Sequence, residues 1–286
     1  MNQIINTDPL KFQDEGYVLV RNFFETDKAL EAANWLRSQK IESFAKSWTD
    51  QEPGVELAVH QDIHKGNDPI GKLASDSKML DLASKIFGSE VYIWSSKVNF
   101  KAAWCGTAEY YHQDYVYWKD RGYKNIDMLT CMIILDNHNI HNGALNIIPK
   151  SHKHGFIEHQ PFCNINGIQK FMIAPHELSS MSKENGVIVL DAKPGDILFF
   201  HTCLAHGSSH NISPNPRMII LSQLNVKGNY PDDVHKNAKQ LNVWRAQFEV
   251  NEAQRKLNFF NNKLTRQQVS EEILFNSPVP REEQND

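Results

Sequence analysis

Residues 205–217 read AHGSSHNISPNPR and join two short apolar runs, residues 197–200 and 218–221. Apolar runs of this length on either side of Gly, Asn, Ser and Pro indicate two β-strands with a polar connection between them. The connection contains His206, a serine two positions later, and Arg217 at its end. We expect these three side chains to face one pocket, so this stretch is the first candidate for a functional site.

Further short apolar runs lie on the N-terminal side of this stretch. Together with the two runs above, they occupy residues 91–101, 128–135, 144–148, 187–190, 197–201 and 217–225. Turn signals such as Asn-Gly and Pro-Gly-Asp bound them. Several short strands without intervening helices are typical of a sandwich or barrel such as a jelly roll. The sequence therefore predicts a mainly β core.

Helical patterns lie on both sides of this core. The helices are predicted over residues 8–14, 26–39, 69–87 and 231–275, with a strand at residues 17–20. A chain of 286 residues can form one large all-β domain. We therefore expect a single domain over residues 1–286, made of a helical part at about 1–90, a β core at about 91–228, a helical segment at about 231–275 and a mobile tail at 276–286.

The charges exclude several classes of partner. The 30 Lys and Arg residues are balanced by 34 Asp and Glu residues and are scattered along the chain. The sequence has neither the basic stripe of a nucleic-acid-binding protein nor a polybasic membrane face. No apolar run approaches the roughly 20 residues that span a bilayer. Isolated cysteines and a polar N-terminus favour a cytoplasmic protein. We expect a monomer or homodimer that acts on a small molecule, without nucleic acid or membrane.

A His-X-Asp pair, His112 and Asp114, precedes His206 in the chain. Two histidines and one carboxylate are the ligands that hold non-haem iron(II) with three positions left open. Residues two apart on a strand face the same side, so both members of the pair could reach a metal while Gln113 faces away. We expect His206 to approach from a different strand across the barrel. The competing pair in residues 60–62 (HQD) falls in a segment without predicted structure, which favours His112 and Asp114.

Arg217 indicates a cosubstrate. A guanidinium group forms a two-pronged hydrogen-bonded pair with a carboxylate, as the distal carboxylate of 2-oxoglutarate requires. Ser208 could donate a second hydrogen bond. A zinc hydrolase built on the same three ligands would leave Arg217 and Ser208 without a role, and a non-catalytic cupin-like binding protein would not need intact ligands. The pattern therefore predicts an enzyme that uses iron(II), 2-oxoglutarate and O2.

Taken together, these residues resemble the phytanoyl-CoA dioxygenase family of iron(II)/2-oxoglutarate oxygenases. The matching segments are residues 97–101 (KVNFK), 112–115 (HQDY), 142–145 (NGAL), 148–152 (IPKSH), 194–196 (PGD) and 206–208 (HGS) through Arg217. The resemblance implies a double-stranded β-helix, a cupin-like jelly roll, with flanking α-helices. It also implies iron at His112, Asp114 and His206 and 2-oxoglutarate at Arg217.

Within the family, the spacing is similar to that of ectoine hydroxylases, which also carry a tryptophan four residues after the aspartate, here Trp118. We expect Asn99 and Lys101 to line the cosubstrate site with Ser208. Lys97, Tyr115 and Trp118 are the expected substrate contacts. Lys97 and Ser95 stand where ectoine hydroxylases carry arginine and glutamine, so the resemblance does not extend to ectoine as the substrate.

The implied reaction is hydroxylation of an unactivated C–H bond, with succinate and CO2 as coproducts. Halogenases of the family replace the aspartate ligand with a small residue, so Asp114 predicts hydroxylation. The predicted substrate is a small polar metabolite, an amino acid or a related zwitterion. The alternative is the same chemistry on an acyl-CoA or lipid-like substrate.

Overall fold

The computed structural model describes residues 9–38, 59–119, 123, 125–163 and 169–229. The helical segment expected at 231–275 and the tail at 276–286 lie outside these residues and stay predictions. The elements below belong to the first of two compact units, Met1–Pro231 and Asp232–Asp286. The expected single domain over residues 1–286 also stays a prediction.

The described residues form two antiparallel sheets, one separate hairpin and several helices. The strands are β1 (Tyr17–Val20), β2 (Val59–Gln61), β3 (Val91–Lys101), β4 (Glu109–His112), β5 (Met128–Ile134), β6 (Leu145–Ile147), β7 (His159–Cys163), β8 (Gln169–Ile173), β9 (Ile188–Val189), β10 (Ile197–His201), β11 (His206–Ser208) and β12 (Arg217–Val226). The helices are α1 (Pro9–Glu15), α2 (Thr26–Ser38), α3 (Pro69–Ala74), α4 (Ser77–Phe87), α5 (Val116–Lys119) and α6 (Pro175–Asn185).

The larger sheet has the strand order β1-β10-β5-β12-β3-β2, and the smaller sheet has the order β4-β11-β6-β9. Strands β7 and β8 form the separate hairpin. Neighbours such as β10 and β5 are far apart in sequence, so the chain crosses between the sheets repeatedly. This is the predicted mainly β jelly-roll architecture with flanking helices.

Alternation of side chains along the strands produces two apolar layers. In β12, Met218 and Ile220 face the helices, whereas Ile219 faces the smaller sheet. The inner layer combines side chains of both sheets: Met132, Ile134, Leu145, Ile147, Leu198, Phe200 and Ile219.

Several predicted boundaries agree with the structure, whereas one predicted helix is divided in two. The expectation of a β core without intervening helices is wrong, because α5 and α6 lie between its strands. The strands predicted at 17–20, 91–101 and 197–201 have these bounds. The helix predicted over 69–87 is instead two helices, α3 and α4, because the Asp76 side chain accepts a hydrogen bond from Met79 N at 3.1 Å and caps a new helix start. None of the described helices is long and apolar enough to cross a membrane.

Candidate metal centre and anion pocket

His112 and His206 are cross-strand neighbours. Strands β4 and β11 pair so that His206 lies opposite His112, and the ring centroids are 4.4 Å apart. The expectation that His206 comes from across the barrel is therefore wrong, since directly opposed residues on paired strands already lie within contact distance. Asp114 follows the end of β4 in a turn, rather than continuing the strand as predicted.

The three candidate ligands converge on one point. His112 Nε2 and His206 Nε2 each lie 3.6 Å from Asp114 Oδ1. The three ligand atoms all lie within 4.8 Å of one another. This spacing could accommodate a single metal ion bound by all three groups.

Neighbouring groups fix the orientation of each ligand. His112 Nδ1 donates to Tyr110 O at 2.8 Å, and His206 Nδ1 donates to Leu204 O at 2.9 Å. The Thr130 hydroxyl donates to Asp114 Oδ2. Each Nε2 therefore keeps its lone pair for a metal ion, and Asp114 Oδ1 is available as the third metal ligand. Hydrogen bonds of this kind set the tautomer and position of metal ligands.

The surroundings of His206 and Asp114 favour the protonation states that a metal requires. Burial and the neighbouring His112 lower the pKa of His206 to about 4. Burial acts to raise the pKa of Asp114, but the nearby His206 and His112 rings and the hydrogen bond from Thr130 lower that pKa overall. Neutral imidazoles and one carboxylate are the donor set of non-haem iron(II) sites, so these residues fit that ion.

Gln113 lies between His112, at the end of β4, and Asp114, in the turn that follows. Its side chain faces away from both candidate ligands, as predicted, and is fully buried. Its Nε2 donates to Gly155 O and Cys203 O at 2.8 Å each, and its Oε1 accepts from Ile157 N at 2.8 Å. Its backbone N–H donates to His159 Nε2 at 2.9 Å. The side chain thus ties the ligand turn to two other segments of the chain.

Arg217 and Lys101 form a buried cationic pocket beside the metal centre. They are opposite each other in β12 and β3 and are 4% and 3% exposed. Lys101 Nζ donates to Ser208 Oγ at 2.9 Å, and Arg217 NH1 donates to Gly143 O at 2.6 Å. Arg217 Nε has no hydrogen-bond partner among the described residues. A buried guanidinium with an unused donor is suited to bind an anion.

The charge of Arg217 is only partly compensated. Burial lowers the pKa of Arg217 to about 10, while the carboxylates of Glu109 and Asp136 act to raise it. Each of those carboxylates already has a cation of its own, Lys170 and Arg37 respectively. The pocket can therefore accept a further negative charge.

Asn99 and Lys97 lie on the same face of β3 as Lys101, because they are two and four positions away on one strand. Their partners in β12 are Ile219 and Leu221, both of which contact the inner apolar layer. The Asn99 Oδ1 atom is buried and has no hydrogen-bond partner among the described residues. These positions agree with the expected inward orientation of both side chains.

The aromatic residues after Asp114 have different surroundings. Tyr115 and Trp118 lie in a buried cluster with Tyr123, Met128 and Cys203. The Tyr115 hydroxyl donates to Tyr123 O, and the Trp118 ring packs edge-on against Trp94. The Tyr117 ring lies edge-on to a candidate ligand, with its centroid 5.8 Å from that of His112. The substrate contacts expected at Tyr115 and Trp118 stay predictions.

A β-bulge turns Glu109 towards the site. The four residues of β4, from Glu109 to His112, oppose only the three residues of β11, so Glu109 pairs with Ser208 and shares its face. Glu109 Oε1 lies 2.9 Å from Lys170 Nζ of β8. The sequence analysis did not identify Glu109 or Lys170, because the polar-apolar pattern of a four-residue strand does not reveal a bulge.

The competing pair in residues 60–62 lies in a different place. Residues 59–61 form β2, which pairs with β3 at the edge of the larger sheet, so the expectation that this segment is irregular is wrong. The Asp62 carboxylate lies 2.7 Å from Lys65 Nζ. Its surroundings are those of a surface ion pair.

Comparisons with known proteins agree with this geometry. Residues 12–219 match the phytanoyl-CoA dioxygenase (PhyH) family. The chain is 30% identical over 218 residues to the ectoine dioxygenase of Stutzerimonas stutzeri, covering 72% of each chain. It is 27% identical over 212 residues to the L-proline trans-4-hydroxylase of Streptomyces griseoviridis, covering 68% of this chain and 78% of the relative.

A solved structure is similar over most of the chain. EctD from S. alaskensis, crystallised with 2-oxoglutarate and 5-hydroxyectoine, superposes with a TM-score of 0.67 at 26% identity. The superposition covers 81% of this chain and 80% of EctD.

Proposed function

Because the chain belongs to the phytanoyl-CoA dioxygenase family and is therefore an iron(II)- and 2-oxoglutarate-dependent dioxygenase, we propose that it hydroxylates an unactivated C–H bond of a small polar metabolite. An amino acid or a related zwitterion is the substrate class, with O2 as the oxidant and succinate and CO2 as coproducts. The ectoine dioxygenase and proline hydroxylase relatives act on small zwitterions, which supports this class.

The observation that carries the proposal is the convergence of His112, Asp114 and His206. Their ligand atoms lie within 4.8 Å, and each remaining polar atom is already bonded to the protein. We assign these three residues as the iron ligands. Bound iron would supply the site that activates O2. The protein orients the ligands in advance, so little rearrangement is needed when the ion binds.

We assign the distal carboxylate of 2-oxoglutarate to Arg217 and Ser208, with Lys101 and Asn99 beside them. Arg217 offers an unused buried donor, and the Ser208 hydroxyl, which accepts from Lys101, retains its own proton for donation. Ser208 and His206 belong to the same short strand, so a molecule that contacts both the pocket and the metal would run alongside β11. This arrangement supports a cosubstrate with an acid group at each end.

Charges of both signs line the wall next to the metal ligands. Glu109 and Lys170 are partly buried and form an ion pair, and Lys97 is partly buried on the face of β3 that carries Lys101. A long acyl chain would remove water from these charged groups without offering them a polar contact, at a cost in free energy. A zwitterion can place charges of its own beside such groups, so this wall supports a small charged substrate, and we assign Lys97 as one of its contacts.

The proposal is tested in two steps on the full chain. Anaerobic protein with iron(II) should gain a weak visible charge-transfer band when 2-oxoglutarate is added. A panel of amino acids and cyclic zwitterions should then contain a compound that stimulates succinate release. His112→Ala, Asp114→Ala and His206→Ala should each lose bound iron and turnover while the fold is retained.

His60→Ala is the matched control, because it removes a histidine of the competing pair and leaves the proposed centre intact. It should keep the iron content and activity of the unaltered protein. Loss of activity in His60→Ala together with retention in His112→Ala would contradict the assignment.

We further propose that the protein is a cytoplasmic monomer or homodimer. Three cysteines described in the structure, Cys105, Cys131 and Cys203, are free thiols, as a reducing compartment would maintain them. Light scattering of the purified protein would give the oligomeric state.

A further inference from the structure

His138 is a buried histidine that the metal centre does not use. It lies after β5, where its backbone exchanges two hydrogen bonds with Ala192, His138 N to Ala192 O at 2.8 Å and Ala192 N to His138 O at 3.1 Å. The side chain is 1% exposed. Neither ring nitrogen has a hydrogen-bond partner among the described residues.

This situation is costly for the ligand-free protein. A neutral imidazole has one N–H donor and one acceptor nitrogen, and both lose hydrogen bonds to water when the ring is buried. Buried polar side chains with no partner are uncommon in proteins, so each one calls for a physical explanation. The backbone bridge to Ala192 keeps this segment in place, so the ring cannot reach solvent by a small movement.

His138 and Ala192 are directly opposed in an antiparallel bridge, so their side chains face the same side, and the Ala192 side chain contacts the inner apolar layer. Arg217 lies two positions from Ile219 of that layer in β12, so the His138 ring and the Arg217 side chain both face the interior between the two sheets. Burial and the charges of Arg217 and Lys101 hold the pKa of His138 well below its ordinary value, so the ring is neutral. The same loop supplies Gly143, whose carbonyl accepts from Arg217 at 2.6 Å. A Cβ atom on Gly143 would lie 3.0 Å from the Lys101 side chain. The segment from His138 to Gly143 is therefore a wall of the pocket.

We propose that His138 donates its ring N–H to the distal carboxylate of 2-oxoglutarate, as a further positioning donor beside Arg217 and Ser208. This inference rests on the proposed function. A carboxylate has about four lone-pair sites, so it can accept the two-pronged contact of an arginine and still accept further donors. A neutral imidazole adds a donor to the pocket without adding a third positive charge to Arg217 and Lys101.

The proposal predicts opposite effects on stability and on binding. His138→Leu removes polar atoms that have no partner in the ligand-free protein and keeps an apolar side chain of similar size. The melting temperature without 2-oxoglutarate should therefore be unchanged or raised. The affinity for 2-oxoglutarate should fall by about 10- to 100-fold, since one hydrogen bond to a charged group is lost.

The experiment is an anaerobic titration of iron(II)-loaded protein with 2-oxoglutarate, followed by the charge-transfer band, together with thermal unfolding without the cosubstrate. His138→Gln keeps a donor and should bind more tightly than His138→Leu. His141→Leu is the matched control, because His141 is exposed in the same loop. It should bind 2-oxoglutarate like the unaltered protein.

Two results would overturn the inference. If the donor-free variant, His138→Leu or, where that variant does not fold, His138→Met, binds 2-oxoglutarate as tightly as His138→Gln, the ring has a packing role or holds a buried water. If His138→Leu folds and binds 2-oxoglutarate like the unaltered protein, the ring does not contact the cosubstrate. A band that is absent from the unaltered protein would instead refute the proposed function itself.

Discussion

Gln113→Leu is expected to destabilise the protein although Gln113 contacts neither the metal nor a substrate. The substitution removes two donated hydrogen bonds and one accepted hydrogen bond, each of 2.8 Å, at a fully buried position. Cys203 is also fully buried, so its carbonyl would stay unsatisfied at a cost of about 1–3 kcal/mol. Gly155 and Ile157 are partly exposed, so water can replace their partner and each loss costs about 0.5–1.5 kcal/mol.

Apolar burial of the leucine side chain offsets part of this loss. We therefore expect the free energy of unfolding of Gln113→Leu to fall by about 2–4 kcal/mol. The affinity for iron(II) should fall by about 10- to 100-fold, because the turn that carries Asp114 would lose its attachment to the segment from Gly155 to Ile157. Urea unfolding at neutral pH and an anaerobic iron titration measure the two effects.

Gln160→Leu is the control for this prediction, since Gln160 is exposed in the neighbouring strand β7. Its free energy of unfolding should stay within about 0.5 kcal/mol of the unaltered protein. A Gln113→Leu variant as stable as Gln160→Leu would refute the reasoning from hydrogen bonds. A destabilised variant with unchanged iron affinity would show that the turn holds its geometry without Gln113.

Two further predictions concern the pocket and the pH dependence. Arg217→Ala should weaken apparent 2-oxoglutarate affinity by about 10- to 150-fold and leave the iron content unchanged. Arg217→Lys should be intermediate, because it keeps the positive charge and loses the two-pronged geometry of the guanidinium group. If Arg217→Ala requires the same 2-oxoglutarate concentration as the unaltered protein, Lys101 would be the anchor instead. Burial lowers the pKa of His201 to about 4, so the folded protein keeps His201 neutral while the unfolded chain protonates it below about pH 6.5. The contribution of the neutral His201 ring to the free energy of unfolding should be fully present above that pH. It should fall by up to about 3 kcal/mol as the pH drops to 4. His201→Asn keeps an acceptor for Cys203 N and should reduce this slope in urea unfolding at several pH values, whereas an identical slope would exclude His201 as its source.

Local patterns in the sequence predicted the framework of the fold. Strand β3 and strand β10 were predicted with their observed bounds, because apolar content and turn residues mark a strand wherever it pairs. The residue types His112, Asp114, His206 and Arg217 could also be chosen in advance, since their chemistry suits one metal and one carboxylate.

Tertiary structure alone decided how these residues meet. Strands β7 and β8 were not predicted, and β4 and β11 were predicted only as the strands that carry His112 and His206, without bounds. All four are short and contain many polar residues, and pairing with neighbours rather than local propensity makes them strands. The bulge that aims Glu109 inwards depends on the register between β4 and β11, which no local pattern encodes.

The same distinction applies to single side chains. The sequence identified Gln113 only as a residue facing away from the metal, and identified His138 not at all. Their roles follow from partners far along the chain, Cys203 for Gln113 and Ala192 and Arg217 for His138. Residue type and local spacing determine which chemistry the chain can perform. Long-range strand pairing determines where each group lies and which hydrogen bonds it retains, because these contacts form only when distant segments pack together.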